Sequence, residues 1–279
     1  MIVTLGDVVE DVVVRLSGPI AHGTDTPSVV DRRRGGSAAN TAVMVAALGR
    51  PARFVGVIGD DALGRRLLDD LTAAGVDWRG QRRGRSASIV VLVDPDGERS
   101  MLTDRGDADT LGPLDPIWLD DLTALHVPAY SLTADPLATT ATDAIADARR
   151  WGGLVTIDVS SVELIERHGP ASVLAQLDAL RPDVVLANGD EFAALGGPSV
   201  WGDTPHTPVV VKRGPDPALV VRGASIVEVP VPEPRRDGAD TTGAGDAFAA
   251  GLIVAMIDGA DLPTAAVAGH AAAAQWLDR

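Results

Sequence analysis

The sequence predicts an α/β fold, a parallel sheet covered by helices on both faces. Two observations carry this. Short β-branched runs alternate along the chain with Ala- and Leu-rich helical patterns, and glycines close the helical segments where the next strand begins. A third observation adds a feature to that plan: two stretches of extended, turn-containing sequence break the alternation. Parallel sheets of this kind bind ligands beyond the carboxyl ends of their strands.

The elements follow in order. IVTLGDVV at 2–9 opens as a buried strand. SAANTAVMVAALG at 37–49 is a helix ending at Gly49, and ARFVGVIG at 52–59 is the next strand. DDALGRRLLDDLTAAG at 60–75 is amphipathic, with Ala62, Leu63, Leu67, Leu68 and Leu71 on one face and a stop at Gly75. Further strands read TALHVPA, LVTIDVS, DVVLAN and PVVVKRG, and the helical patterns DPLATTATDAIADARRWG, ASVLAQLDALR and GDEFAALGG separate or follow them. The interrupting stretches, 12–32 and 86–106, read as strands with turns, notably Asp94-Pro95-Asp96-Gly97. They are expected to form a small antiparallel sheet, a lid inserted in a single domain covering 1–279. The Pro-rich stretch 229–240 reads as a surface connection, and no internal repeat is visible.

Composition narrows the function. A chain of 279 residues with 46% hydrophobic residues supports a well-buried core in one large domain or two small ones. The formal net charge of −15 argues against nucleic acid as a partner, because neutralising phosphates needs a basic face. The absence of cysteine excludes disulfides, thiolate metal sites and Cys nucleophiles. Lys212 is the only lysine, and it sits in VVVKRG, outside any GxxxxGK[ST] pattern, which excludes a Walker-type site. The acidic N-terminus has no leader pattern, and AFAAGLIVAMI is too short to span a bilayer, so a soluble, cytoplasmic protein with no membrane partner is expected. His22, His126, His168 and His206 show no ligand spacing.

Two segments carry chemistry. In DTTGAGDAF at 240–248, Gly243, Ala244 and Gly245 are small enough for a ligand to approach their N–H groups at a helix N-terminus. That is an anion hole for a transferring phosphoryl group, with Asp246 one residue on as a general base for a hydroxyl. The plainer reading is a glycine-rich helix cap. In GGSAAN at 35–40, Gly35 and Gly36 let backbone lie against a polar ligand, and the Asn40 amide, which donates and accepts, suits sugar hydroxyls. A simple cap is again the alternative.

Together, GGSAANTAVMVAALG and DTTGAGDAFAAG resemble the two signatures of the ribokinase/PfkB family of carbohydrate kinases. LGDVVED, VGVIGDDALGRRLLDDLTAAGVD, the N-x-x-E run Asn188-Gly189-Asp190-Glu191 and VVVKRGPDPALVV resemble further family segments, so the likeness covers essentially the whole chain. It implies a doubly wound, mostly parallel, ribokinase-like sheet flanked by helices, with a small β-sheet lid. It also implies ATP-dependent phosphorylation of a hydroxyl on a sugar or sugar acid. In that reading Asp246 is the base and Gly243, Ala244 and Gly245 form the hole. Asp11, Gly35, Gly36 and Asn40 contact substrate. Read from the residues alone, Tyr130 is a substrate contact or a strand-end residue with a wet hydroxyl, and Arg105 is a partner for an anionic substrate group or a surface arginine. Asn188, Lys212, Gly214, Thr242, Gly243, Gly245 and His270 face ATP, and Asn188 and Glu191 hold Mg²⁺ indirectly.

The chain departs from the family at several places. The last helix reads Gly269-His270-Ala271-Ala272-Ala273-Ala274 and ends at Arg279, so part of a K⁺ site is expected to be missing and the monovalent cation stays open. Val9 and Ser37 stand where ribokinase has Asn and Lys, and Ala129-Tyr130 where it has a ribose-binding Glu, which speaks against ribose itself. A nucleoside kinase of the same fold and a non-catalytic sugar- or nucleotide-binding sensor are the alternatives. The lid segments contain no aromatic residue to stack on a base, which favours a sugar. The exposed lid face is a candidate homodimer surface. Arg32-Arg33-Arg34 reads as a steering patch for anions or a solvated strand end.

Overall fold

The structure, a computed structural model, describes residues 1–201, 207–232 and 241–278. Residues 233–240 of the expected Pro-rich connection, Asp240 of the glycine motif among them, and His206 lie outside the described residues. The described strands are β1 (Ile2–Leu5), β2 (Val9–Leu16), β3 (Ser28–Gly35), β4 (Ala52–Ile58), β5 (Val76–Arg82), β6 (Ala87–Val93), β7 (Arg99–Asp104), β8 (Ala124–Pro128), β9 (Leu154–Asp158), β10 (Val184–Asn188), β11 (Val209–Arg213), β12 (Asp216–Arg222) and β13 (Ser225–Val229). The helices are α1 (Ser37–Ala47), α2 (Ala62–Ala73), α3 (Leu137–Arg150), α4 (Val162–His168), α5 (Pro170–Leu180), α6 (Gly189–Ala194), α7 (Gly197–Trp201), α8 (Ala244–Ile257) and α9 (Leu262–Leu277).

Nine strands form the main sheet in the order β13-β12-β11-β10-β9-β8-β1-β4-β5. The seven from β11 to β5 pair in parallel, and β12 and β13 close one side as an antiparallel hairpin. The central strands are apolar on both faces because both faces are covered. Along β4, Phe54 packs into the layer with α1, α8 and α9, while its neighbours Val55 and Val57 pack into the layer with α3, α4 and α5. The doubly wound α/β expectation is met. No helix among the described residues is long and apolar enough to cross a membrane.

The second sheet has four strands in the order β3-β2-β6-β7. It was expected to be antiparallel, and its two hairpins are, but β2 and β6 run parallel. Both inner strands leave the main sheet in the same direction before their hairpins turn back, so they meet side by side. The stretch 2–9 is likewise not one strand. The chain breaks at Gly6, where it passes from one sheet to the other and a Cβ would lie 2.7 Å from Ser131 Oγ. Strand β5, the β12–β13 hairpin and helix α4 were not separately anticipated.

Helix α8 is buried from Ala247 to Ile253 because it lies between the sheet and α9. A helix apolar all round is suited to that position. Close approach is set by Gly251, where a Cβ would lie 2.5 Å from the Ala268 carbonyl and 2.6 Å from Ala272 Cβ. The seam therefore fixes where the N-terminus of α8 is aimed. Gly251→Leu should force the helices apart and destabilise the protein by about 1–3 kcal/mol or more, as overpacking does. A lowered urea midpoint with an unchanged slope is the expected result.

Candidate active site

The carboxyl ends of β9, β10 and β11 and the N-termini of α1 and α8 converge on a cavity of about 410 Å³. Its lining includes Ser37, Tyr130, Asp158, Ser160, Asn188, Glu191, Lys212, Gly214, Thr241 and the run Gly243 to Asp246. This is where a parallel sheet presents ligand sites.

Gly243 caps α8 in the left-handed region, at φ 80°. No side chain fits there, since a Cβ would lie 2.7 Å from the Trp276 ring. The Trp276 indole Nε1 donates to the Thr242 carbonyl at 2.9 Å, which pins the corner from behind. Helix geometry leaves the N–H groups of Gly245 and Asp246 without acceptors inside α8. At Gly245 a Cβ would lie 3.2 Å from Lys212 Nζ, so the lone lysine brings its charge directly against the glycine turn. Backbone donors, a helix dipole and an ammonium all face one point, which suits an anion.

Asp246 follows in the first turn of α8. Ser37 Oγ donates to its Oδ1 at 2.6 Å and Asn40 Nδ2 donates to its Oδ2 at 2.9 Å. Arg34 donates in turn to Asn40 Oδ1 at 2.7 Å, which fixes the amide with its N–H side toward the carboxylate. Burial pushes the Asp246 carboxyl up to about 7 against the pull of the Ser37 and Asn40 hydrogen bonds, and nearby Asp158 adds to the rise. A carboxylate poised there matches the requirement for a general base near neutral pH.

Across the cavity, Lys212 Nζ is hydrogen-bonded to Asp158 Oδ2. Burial pulls the lysine down, but Asp158 and Glu191 outweigh it and hold the ammonium charged. Asn188 and Glu191 close a reciprocal cap on α6: Glu191 N donates to Asn188 Oδ1 at 2.8 Å, and Asn188 N donates to Glu191 Oε2 at 2.7 Å. Burial, followed by the Asp158 charge, raises Glu191 to about 7.

On the side of α1, Gly36 has φ 94° and would place a Cβ 2.5 Å from the Asp7 carbonyl. Gly35 is equally tight against the Asp11 carboxylate, at 2.5 Å. Asp11 faces Arg33 at 3.9 Å and is buried, but it does not line the cavity. Arg105 donates to buried Asp7 at 3.1 Å and lies over the Tyr130 ring, 4.7 Å from its centre. Burial raises both the Asp7 carboxyl and the Tyr130 hydroxyl.

The structure thus brings Ser37, Asn40, Tyr130, Asn188, Glu191, Lys212, Gly214 and Gly243 to Asp246 to one place. His270 is set apart: it is buried edge-on against Phe248, hydrogen-bonded to the Val229 carbonyl and absent from the cavity lining. Arg32 is solvent-exposed at the strand end but pairs with Glu10, while half-buried Arg34 binds Asn40. Sequence reasoning passed over Asp158, Ser37 and Asp7. Asp158 had a signal, an acid at the carboxyl end of the apolar strand LVTID, where a buried parallel sheet ends at its ligand edge. Ser37 lay inside the GGSAAN motif without an assigned role.

The profile of the pfkB family carbohydrate kinases matches residues 1–279. An ATP-dependent ribose-1-phosphate kinase of Halopiger xanaduensis is 34% identical over 273 residues, covering 95% of this chain and 87% of that protein. The aminoimidazole riboside kinase of Salmonella typhimurium is 30% identical over 237 residues, covering 80% of this chain and 73% of that protein. Among solved structures, the adenosine kinase from Sinorhizobium meliloti superposes with a TM-score of 0.87 at 25% identity, covering all of this chain and 94% of that one.

The raised Asp246 has a measurable consequence. Its carboxyl titrates near 7 when folded and near 3.8 when unfolded, so folding favours the protonated form and the buried charge destabilises the protein as pH rises. Asp246→Asn should therefore melt higher than the wild type at pH 8, with the gap shrinking as pH falls toward 5. Paired calorimetric melts across that range provide the check.

Proposed function

The chain belongs to the pfkB family of carbohydrate kinases and is a sugar kinase, and on that premise we propose that ATP is its phosphoryl donor and how its residues divide the work. Asp246 is the general base. The observation that carries this is its buried carboxyl, bonded by Ser37 and Asn40 beside the turn Gly243 to Gly245.

Bound MgATP supplies the phosphoryl group and neutralises charge as the transfer proceeds. The residues present fit such a group, with Gly245 bare against Lys212, a left-handed Gly243 and two carboxylates within reach of the same cavity. The N–H groups of Gly245 and Asp246 donate to phosphate oxygens, and Lys212 adds positive charge on the same side. Asn188 and Glu191, together with Asp158, make the acidic wall that would hold Mg²⁺. Asn40, Tyr130 and Arg105 orient the sugar so that its hydroxyl meets Asp246, which accepts the proton as the new phosphorus–oxygen bond forms. The second sheet covers this reaction space as a lid and excludes water.

The substrate is a sugar or sugar acid. A riboside is the second reading, favoured by the riboside kinase and adenosine kinase likenesses. The strands of the second sheet offer no aromatic face to a base, which supports the first reading. One face of that sheet exposes Val30 and Leu102 beside half-buried Val12, Val14, Val90 and Leu92, a surface suited to a second copy of the chain.

A screen of ATP consumption across pentoses, hexoses, sugar phosphates, keto-deoxy sugar acids and ribosides identifies the acceptor. With that acceptor, Asp246→Asn should lower kcat by about 10²–10⁴, the usual effect of removing a general base. ATP affinity should stay near wild type. The kcat of the wild type should rise with pH through about 7, as Asp246 loses its proton. A folded variant with near wild-type turnover removes Asp246 from the chemistry.

A further inference from the structure

One side chain joins the two sheets at the phosphate turn. Arg99 begins β7, next to the hairpin tip at 94–98, and its guanidinium donates to Thr242 Oγ1 at 2.9 Å, across 143 positions of sequence. The Thr242 carbonyl meanwhile accepts the Trp276 indole N–H from α9. The residue immediately before the left-handed Gly243 is thus held on one side by the second sheet and on the other by the helical layer of the main domain. The turn is narrow: Gly243 is packed against the Trp276 ring, so a shift at Thr242 has little room to relax except into the N–H groups that follow.

We infer that Arg99 is a positioning residue for phosphoryl transfer, tying the placement of the second sheet to the shape of the Thr242–Gly243 corner through the Thr242 hydroxyl. The inference rests on the phosphoryl-transfer reading above. It gives the second sheet a part in the reaction beyond covering it. When that sheet sits over the cavity, the corner is braced from both sides and its donors are fixed where the phosphate oxygens arrive. When it lifts, the brace from Arg99 goes with it, while the bond from Trp276 stays. Transfer is thereby made to wait for a covered site, which protects ATP from water. Arg99 is exposed and supports no core packing, so its removal leaves the fold intact.

Hydrogen exchange on the whole chain tests this with the β,γ-imido analogue of ATP and Mg²⁺ as the only probe. In the wild type, the analogue should slow exchange at 242–246 and, through the brace, at 99–104, within the about 5–150-fold range of coupled sites. In Arg99→Ala, protection at 242–246 should remain but weaken, while protection at 99–104 is lost. Thr242→Val should also lose protection at 99–104, and the double variant should lose no more than Arg99→Ala, because both substitutions remove the Arg99–Thr242 hydrogen bond. Protection of 99–104 that survives in Arg99→Ala, or losses that add in the double variant, overturns the inference and leaves the kinase reading standing. No protection at 242–246 in the wild type overturns the nucleotide assignment and the inference with it.

Discussion

The site depends on a carboxylate kept out of water at the meeting of two helix N-termini. Asp246 sits in the first turn of α8 and takes its hydrogen bonds from Ser37 and Asn40 in the first turn of α1. Burying a carboxylate is costly unless it is bonded or protonated. Here the two bonds are present, and the remaining penalty appears as a carboxyl raised to about 7. Everything nearby serves to keep this arrangement: Arg34 orients Asn40, bare glycines allow the backbones to close, and the α8–α9 seam fixes the direction of α8.

The distribution of charge follows the same logic. A chain of net charge −15 has one lysine, and that lysine stands in the cavity between Asp158 and the glycine turn. A compact ammonium suits close approach to Gly245 better than a broad, planar guanidinium. Asp158 and Glu191 keep Lys212 protonated, and Lys212 in turn eases the crowding of three buried acids. The acidic surface is no obstacle to an anionic ligand, because the field that matters is local.

Much of this was legible in the sequence, for identifiable reasons. The alternation of β-branched and Ala/Leu-rich segments showed the α/β plan, since strands buried on both faces leave no polar side to write. TGAGD and GGSAAN showed the two helix starts, because close backbone approach admits so few residue types. Contacts between distant segments were not legible. The Trp276 bond to Thr242 and the Arg99 bond across 143 positions have no local pattern, and Asp7 became visible only where the chain changed sheets. The parallel pairing of β2 with β6 also escaped, because turn signals specify each hairpin but not how two hairpins lie together. Arg34 looked like part of a charged strand end, yet its role comes from Asn40, a partner one helical turn into α1.

The central claim is that the buried Asp246 carboxyl is poised near neutrality, as Glu191 is across the cavity, and the two can be told apart directly. Difference infrared spectroscopy of the whole protein, titrated from pH 5 to 9, follows the stretch of a protonated carboxyl and the bands of its carboxylate. The account predicts carboxyls that ionise near pH 7 in the wild type, of which the Asp246 signal is missing from Asp246→Asn while that of Glu191 stays. An Asp246 signal already fully ionised at pH 5 contradicts it, because such a group would be neither desolvated nor held in reserve as a base.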